Sequence, residues 1–151
     1  MQKNNLVIYC DGGSRGNPGP AASAFVATSD NIVIYKESKF LGNETNNVAE
    51  YMAVFLAVSW LSKLSPNTYY LLPIIINLDS QLVERQLNKK YKIKNQNLKI
   101  IYDKIRLLIS GNRLEINFVW NYRDKNHLAD SLVKSTTWAC TGEYRASLGF
   151  I

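Results

Sequence analysis

The sequence predicts an α/β fold, a mixed β-sheet with helices on both faces. Three observations lead to it. The first forty residues hold three segments of strand character in succession. From residue 46 onward, long segments at helical spacing alternate with short apolar ones. One of the short segments, LLPIIINLD, is apolar almost throughout, as expected of a strand covered on both faces. A meander followed by alternating helices and strands gives the order β-β-β-α-β-α-α-β-α, which suits a sheet that is partly antiparallel and partly parallel.

Taken in order, residues 5–10 are apolar and β-rich, so the first strand is buried. AASAFVAT (21–28) and IVIYKESKF (32–40) are joined by the short polar SDN, a hairpin signal. NNVAEYMAVFLAVSWLSKL (46–64) has good helix formers and no internal Gly or Pro. Its Asn46, Glu50, Ala53, Val54, Ala57, Leu61 and Leu64 share one stripe. LLPIIINLD (71–79) is a strand, SQLVERQLN (80–88) a helix, and NLKIIYDKIRLLIS (97–110) a helix stopped by Gly111. LEINFVW (114–120) alternates like a strand, and NHLADSLVKSTTWA (126–139) is the last helix. With no repeat, low-complexity run or linker, one domain over 1–151 is expected, with its motifs in about 5–139 and a C-terminal tail at 140–151.

The chain has 151 residues, and 46% of them are hydrophobic, enough for a core. No apolar run approaches the roughly 20 residues of a membrane span. The apolar stretch near the N-terminus is five residues long and ends in Asp11, too short for a signal peptide. Two cysteines imply no disulfide framework, so a reduced, cytoplasmic protein is expected. Of 18 basic residues, eight lie between Arg85 and Arg106, with Asp103 the only acid among them. That segment reads either as the footprint of a polyanion binder or as a solvated helix face.

Two carboxylates end apolar strands, Asp11 in YCDGGSRGNPGP and Asp79 in LLPIIINLD. Asp-Gly alone is also a common turn. If the two strands run parallel and adjacent, both acids emerge at one carboxyl edge, where open α/β sheets bind ligands. Glu50 lies on the apolar stripe of the first long helix, and Asp130 borders that of the last. The sequence shows no Lys or Arg in an evident pairing register with these four. Ionised carboxylates are seldom buried unless paired or metal-bound. Oxygen ligands with little else suit Mg²⁺ or Mn²⁺, and beside a basic surface they point to two-metal phosphodiester chemistry.

YCDGGSRGNPGP, TNNVAEYMA, LDSQLV and NHLADSLV occur in an order and at spacings that resemble ribonuclease H of type 1, across about residues 5–139. The resemblance implies a five-stranded mixed sheet in order 3-2-1-4-5 and cleavage of the RNA strand of RNA/DNA hybrids to 3′-hydroxyl and 5′-phosphate ends. It implies that Asp11, Glu50, Asp79 and Asp130 hold two Mg²⁺ or Mn²⁺ ions. Asp11 bridges both, Glu50 and Asp79 take one each, and Asp130 completes the site of the attacking water. Ser14, Asn17, Asn47 and Gln81 match contacts to the RNA and the minor groove, and Thr45 and Asn46 match a grip on a DNA-strand phosphate. For Asn46 and Asn47, helix capping is the other reading. The glycines of the first motif would let the nucleic-acid backbone approach closely.

The chain departs from the family pattern in two places. A basic helical protrusion is replaced by the link NKKYKIKNQN, whose Lys89, Lys90, Lys92 and Lys94 either contact the hybrid or solvate the surface. The loop before the last acid is shortened to NYRDKNHLAD. The lone histidine, His127, then falls inside the helix, and Arg123 is the better phosphate contact. This short form resembles a branch that tolerates double-stranded RNA. Trp60, Trp120 and Trp138 read as core or core-edge packing. A monomeric, free-standing enzyme is expected. A catalytically silent hybrid-binding module and an excised retroelement nuclease domain are the alternatives.

Overall fold

A computed structural model describes residues 5–64 and 73–141. Strand β1 (Leu6–Ser14) leads into β2 (Gly19–Ser29) and β3 (Ile32–Glu44), then helix α1 (Asn46–Lys63), β4 (Ile74–Leu78), α2 (Gln81–Leu87), α3 (Gln96–Gly111), β5 (Ile116–Trp120) and α4 (His127–Thr141). A short 3₁₀ turn, Arg123–Asn126, precedes α4. The sheet order is β3-β2-β1-β4-β5. β2 is antiparallel to both neighbours, whereas β1, β4 and β5 are parallel.

Local chemistry explains the boundaries. Asp30 and Asn31 take left-handed φ values of 51° and 63°, so the β2–β3 hairpin closes on a two-residue turn. Thr45, Ser80 and Asn95 cap α1, α2 and α3, accepting from the backbone N–H of Val48, Val83 and Leu98. β1 is longer than its apolar run implies, because it stays paired with β2 through Ser14. Asp11 therefore does not end the strand. It ends the pairing with β4, which stops at Cys10↔Leu78. Leu71, Leu72 and the tail 142–151 lie outside the described residues.

The two faces of the sheet are covered unequally. α1, α2 and α3 bury Ile8, Cys10, Phe25, Ile76 and Leu78 in the main core. α4 lies on the other face, where Ala22 and Ala24 of β2 meet Val133. Small residues there let the helix lie close to the sheet. Among the described residues, no helix is long and apolar enough to cross a membrane.

One contact sets how α1 lies across β1. A Cβ on Gly12 would stand 2.2 Å from the Ala49 carbonyl carbon and 2.5 Å from the Glu50 nitrogen. The first motif's glycine thus makes room for the protein's own helix rather than for nucleic acid. Gly19 has the same kind of role, since a Cβ there would fall 1.7 Å from the Arg15 carbonyl oxygen. Both neighbours are backbone and cannot rotate away. Gly12→Ala is therefore expected to destabilise the fold by about 1–3 kcal/mol, the usual cost of overpacking. Urea denaturation measures this, and a loss under a few tenths of a kcal/mol would refute the close approach.

Candidate active site

The register of the parallel strands builds the site. Cys10 pairs with Leu78, so the residues that follow, Asp11 and Asp79, come side by side where the β1–β4 pairing stops. Gly12 brings the start of α1 against β1, which sets Glu50 beside Asp11. One carboxylate oxygen from each of Asp11, Glu50 and Asp79 lies within 4.8 Å of the others. Asp130, on the first turn of α4, lines the same open cleft of about 890 Å³ but stands outside that tight triad.

Asparagines fix the strand ends. Asn126 donates its side-chain amide to the Cys10 carbonyl at 2.8 Å, tying the start of α4 to the residue before Asp11. The Asn121 backbone N–H donates to the Leu78 carbonyl at 2.9 Å, and its side chain bonds to Asn77. Carbonyls that leave a parallel ladder need such partners once pairing stops.

Burial makes the acids costly to ionise together. Burial first, then the charges of Asp79 and Asp130, push the Asp11 carboxyl up from 3.8 to about 8. Glu50 is held well above the usual carboxylate range by burial, by Asp11 and by a hydrogen bond with Asp79. Its Oε2 is buried with no protein partner. Two cations offset this repulsion, contrary to the expectation that none was in register. Arg123 Nε lies 3.4 Å from Asp79 Oδ2. Lys134 Nζ lies 3.0 Å from Asp130 Oδ2, one helical turn along α4.

The other predicted residues separate into three groups. Ser14, Asn46 and Arg123 line the cleft with the acids. Asn46 also joins Asn17 in a clasp: Asn46 Oδ1 accepts from Ser14 N at 2.8 Å, and Asn17 Oδ1 accepts from Asn46 N at 3.0 Å. Ser14 Oγ donates to the Gly16 carbonyl. Thr45, not Asn46 or Asn47, caps α1, with Val48 N 3.2 Å from its Oγ1. Asn47 and Gln81 are exposed on the first turns of α1 and α2. Lys89, Lys90, Lys92 and Lys94 are exposed on the link beyond α2 and do not line the cleft. His127 is exposed at the start of α4 and does not line the cleft either.

Sequence reasoning missed four residues here. Asn126 looks like any helix-start asparagine until its bond to Cys10 is seen. The i,i+4 spacing of Asp130 and Lys134 was a legible signal for their pair. Trp138 is not core: it is 39% exposed and forms a wall of the acidic cleft. Arg15 lies over it, with Cζ 5.3 Å from the indole centroid. By contrast Trp60 stacks on Tyr35 at 5.0 Å and Trp120 packs on Tyr122 at 4.9 Å, as core-edge residues do.

This strand order, with acids gathered where the parallel strands end, is a ribonuclease H-like architecture. Residues 9–136 match the family described as reverse transcriptase-like. The chain is 40% identical over 129 residues to the bifunctional protein Rv2228c of Mycobacterium tuberculosis, covering 84% of this chain and 34% of that one. It is 36% identical over 104 residues to ribonuclease HI of Halobacterium salinarum, covering 68% of this chain and 50% of that one. The crystal structure of LC11-RNase H1 in complex with an RNA/DNA hybrid superposes with a TM-score of 0.86 at 33% identity, covering 91% of this chain and 99% of that one. The chain belongs to the ribonuclease H type 1 family, and spans between a third and a half of the length of these curated relatives.

The raised Asp11 carboxyl has a consequence for stability. Between its ordinary value of 3.8 and about 8, the folded chain keeps a proton that the unfolded chain has released. The folded state then binds more protons, so stability falls as pH rises through this window. In excess chelator, the melting temperature of the wild type should drop from pH 5 to pH 8 relative to Asp11→Asn, which has nothing to ionise there. Thermal denaturation checks this, and parallel curves for the two proteins would refute it.

Proposed function

We propose that this chain is a metal-dependent endoribonuclease that hydrolyses the RNA strand of RNA/DNA hybrids, leaving 3′-hydroxyl and 5′-phosphate ends. The observation that carries the reading is the convergence of Asp11, Glu50 and Asp79, with oxygens within 4.8 Å, in a cleft that Asp130 also lines. Family membership and the hybrid bound by LC11-RNase H1 supply the substrate class. The proposal takes residues 1–151 as one ribonuclease H-like domain acting as a monomer in the cytoplasm.

The donors fit a hard divalent cation. They are all carboxylate oxygens, and Glu50 Oε2 is buried with no protein partner. Asp11, Glu50, Asp79 and Asp130 would hold two Mg²⁺ or Mn²⁺ ions, which supply positive charge for the attacking and leaving oxygens of a phosphodiester. The protein's share is placement. Asp11, Glu50 and Asp79 share one cluster, and in this reading Asp11 would serve both ions while Glu50 and Asp79 would take one each. Asp130 approaches from the opposite face of the sheet, on α4. Arg123, held over Asp79 by charge, offers a guanidinium to a phosphate at the cleft mouth. The clasp uses the Oδ1 atoms of Asn17 and Asn46, so their amide N–H groups remain as donors. Minor-groove acceptors and 2′-hydroxyls suit such donors. Ser14, Thr45, Asn47 and Gln81 extend the same surface.

Double-stranded RNA is the second substrate proposed, because the loop before α4 is reduced to the turn Arg123–Asn126, the short form that resembles a branch tolerant of it. Labelled RNA/DNA, RNA/RNA and DNA/DNA duplexes incubated with Mg²⁺, Mn²⁺ or chelator test both substrates. Cleavage of hybrid in Mg²⁺ or Mn²⁺ and none in chelator is expected. Binding of hybrid without cleavage would replace the enzyme by a binding module.

Asp79→Asn keeps the shape but loses the charge. Its kcat should fall well over tenfold, more than about 1.4 kcal/mol of barrier, while hybrid affinity stays within about threefold, the scale of a few tenths to one kcal/mol. Quenched-flow cleavage and filter binding measure the two quantities, and a kcat loss under tenfold would remove Asp79 from the ion's ligands. Replacing Lys89, Lys90, Lys92 and Lys94 together by Gln should flatten the log K against log[salt] slope, by close to one unit for each phosphate that these lysines neutralise. An unchanged slope would leave them as solvated surface.

A further inference from the structure

The cleft that holds the acids does not stop at them. It continues along α4 to Trp138, with Gly13, Ser14 and Arg15 of the β1 end forming the facing wall. Asp130, Lys134 and Trp138 follow one another at i, i+4 and i+8, so they stand in a row on one side of the helix. At 1.5 Å per residue, Trp138 lies about 12 Å along the axis from Asp130. That is beyond a phosphodiester held at the acid triad but still inside the same groove.

The chemistry of this far end differs from that of the triad. Trp138 is a large apolar side chain left 39% exposed in a charged groove. The Arg15 Cζ sits 5.3 Å from its ring centroid, a favourable cation–ring distance. The two come from facing walls of the cleft, Arg15 from just beyond β1 and Trp138 from α4. Tryptophans that pack, Trp60 and Trp120, do so against other aromatic rings. A fixed charge beside an exposed flat ring matches a nucleotide unit, which offers a phosphate and an apolar sugar face. In a duplex the bases are paired inside, so a groove wall meets the sugar-phosphate strand.

We infer that Arg15 and Trp138 form a subsite for a nucleotide flanking the scissile phosphodiester, with Arg15 on its phosphate and the Trp138 indole against its sugar. The inference rests on the reading of this chain as a hybrid nuclease and adds two positioning residues to it. The guanidinium is always charged and its planar fork suits phosphate. The indole contributes contact area without reading base identity, so the subsite is indifferent to sequence. It holds the strand in line with the acids and takes no part in bond breaking.

The experiment compares wild type, Arg15→Gln, Trp138→Ala and Trp138→Phe with an RNA/DNA hybrid of defined sequence. Affinity and its salt dependence are measured in the Asp79→Asn background, and cleavage kinetics in the otherwise unaltered chain. Arg15→Gln should weaken binding about threefold to tenfold and lower the salt slope by close to one unit, the signature of one phosphate no longer neutralised. Trp138→Ala should weaken binding by a similar factor with the slope unchanged, and Trp138→Phe should restore most of it. In the active chain both truncations should raise KM severalfold while kcat changes less than about twofold. Hybrid binding should quench tryptophan fluorescence in the wild type and not in Trp138→Phe, which still binds. Melting temperatures equal to that of the wild type separate these effects from misfolding. If the wild type cleaves hybrid and the variants match it in affinity, slope and KM, the subsite is refuted and the nuclease reading stands. If the wild type neither binds nor cleaves hybrid, the nuclease reading fails and the subsite fails with it.

Discussion

The parallel pairing of β1 with β4 is the constraint on which the site depends. Hydrogen bonds slant evenly along such a ladder, and the last pair, Cys10 with Leu78, brings Asp11 and Asp79 to the same level. A slip by one residue would turn one carboxylate to the opposite face of the sheet. The apolar side chains prevent that slip, because Ile8, Cys10, Ile76 and Leu78 are all buried under the same helices. Packing energy in the core thus sets the positions of charges at its edge. Asn121 and Asn126 then satisfy the carbonyls of Leu78 and Cys10, so the ladder ends cleanly where the acids begin.

Gly12 is the second part of the same arrangement. With no side chain there, the backbone of α1 at Ala49 and Glu50 rests directly on β1. The third carboxylate of the triad arrives by that route, from a helix, with Oε2 buried. Three acids this close repel one another, which with burial holds the Asp11 and Glu50 carboxyls above the usual range, and the cations Arg123 and Lys134 lie against Asp79 and Asp130. The partners are unequal. Arg123 is largely solvated and Lys134 shares its helix with Asp130, so both pairs are weak by themselves and can open when a stronger cation is present. The protein tolerates a strained cluster of charge because a large apolar core lies directly beneath it.

The surface around the acids follows the same logic. The clasp of Ser14, Asn17 and Asn46 joins the β1–β2 connection to the start of α1 through two backbone N–H groups. One set of side chains therefore stiffens the rim and presents amide donors. The lysine link lies a helix length away, about 10 Å along α2, so its four lysines stand apart from the cleft.

Much of this was legible in the sequence. Every described strand and helix was expected, and so was the approach of Asp11 and Asp79 to one edge of the parallel pair, because each follows the apolar run of its strand. Periodicity placed Glu50 on the inner stripe of the first long helix and Asp130 at the border of the last helix's stripe. Strand order came from the resemblance in motifs and not from any local property, since the parallel ladders join Leu6 to Ile74 and Ile74 to Ile116 and leave no trace in spacing. Only the tertiary structure decided the rest. It turned Gly12 from a gap for nucleic acid into a seat for α1, made Thr45 the cap in place of its asparagine neighbours, and brought Arg123 to Asp79 across 44 residues. It also set Trp138, which the sequence reads as core or core-edge packing, in the cleft wall beside Arg15. These outcomes depend on which faces of separate elements meet, and a linear sequence carries the faces but not the meeting.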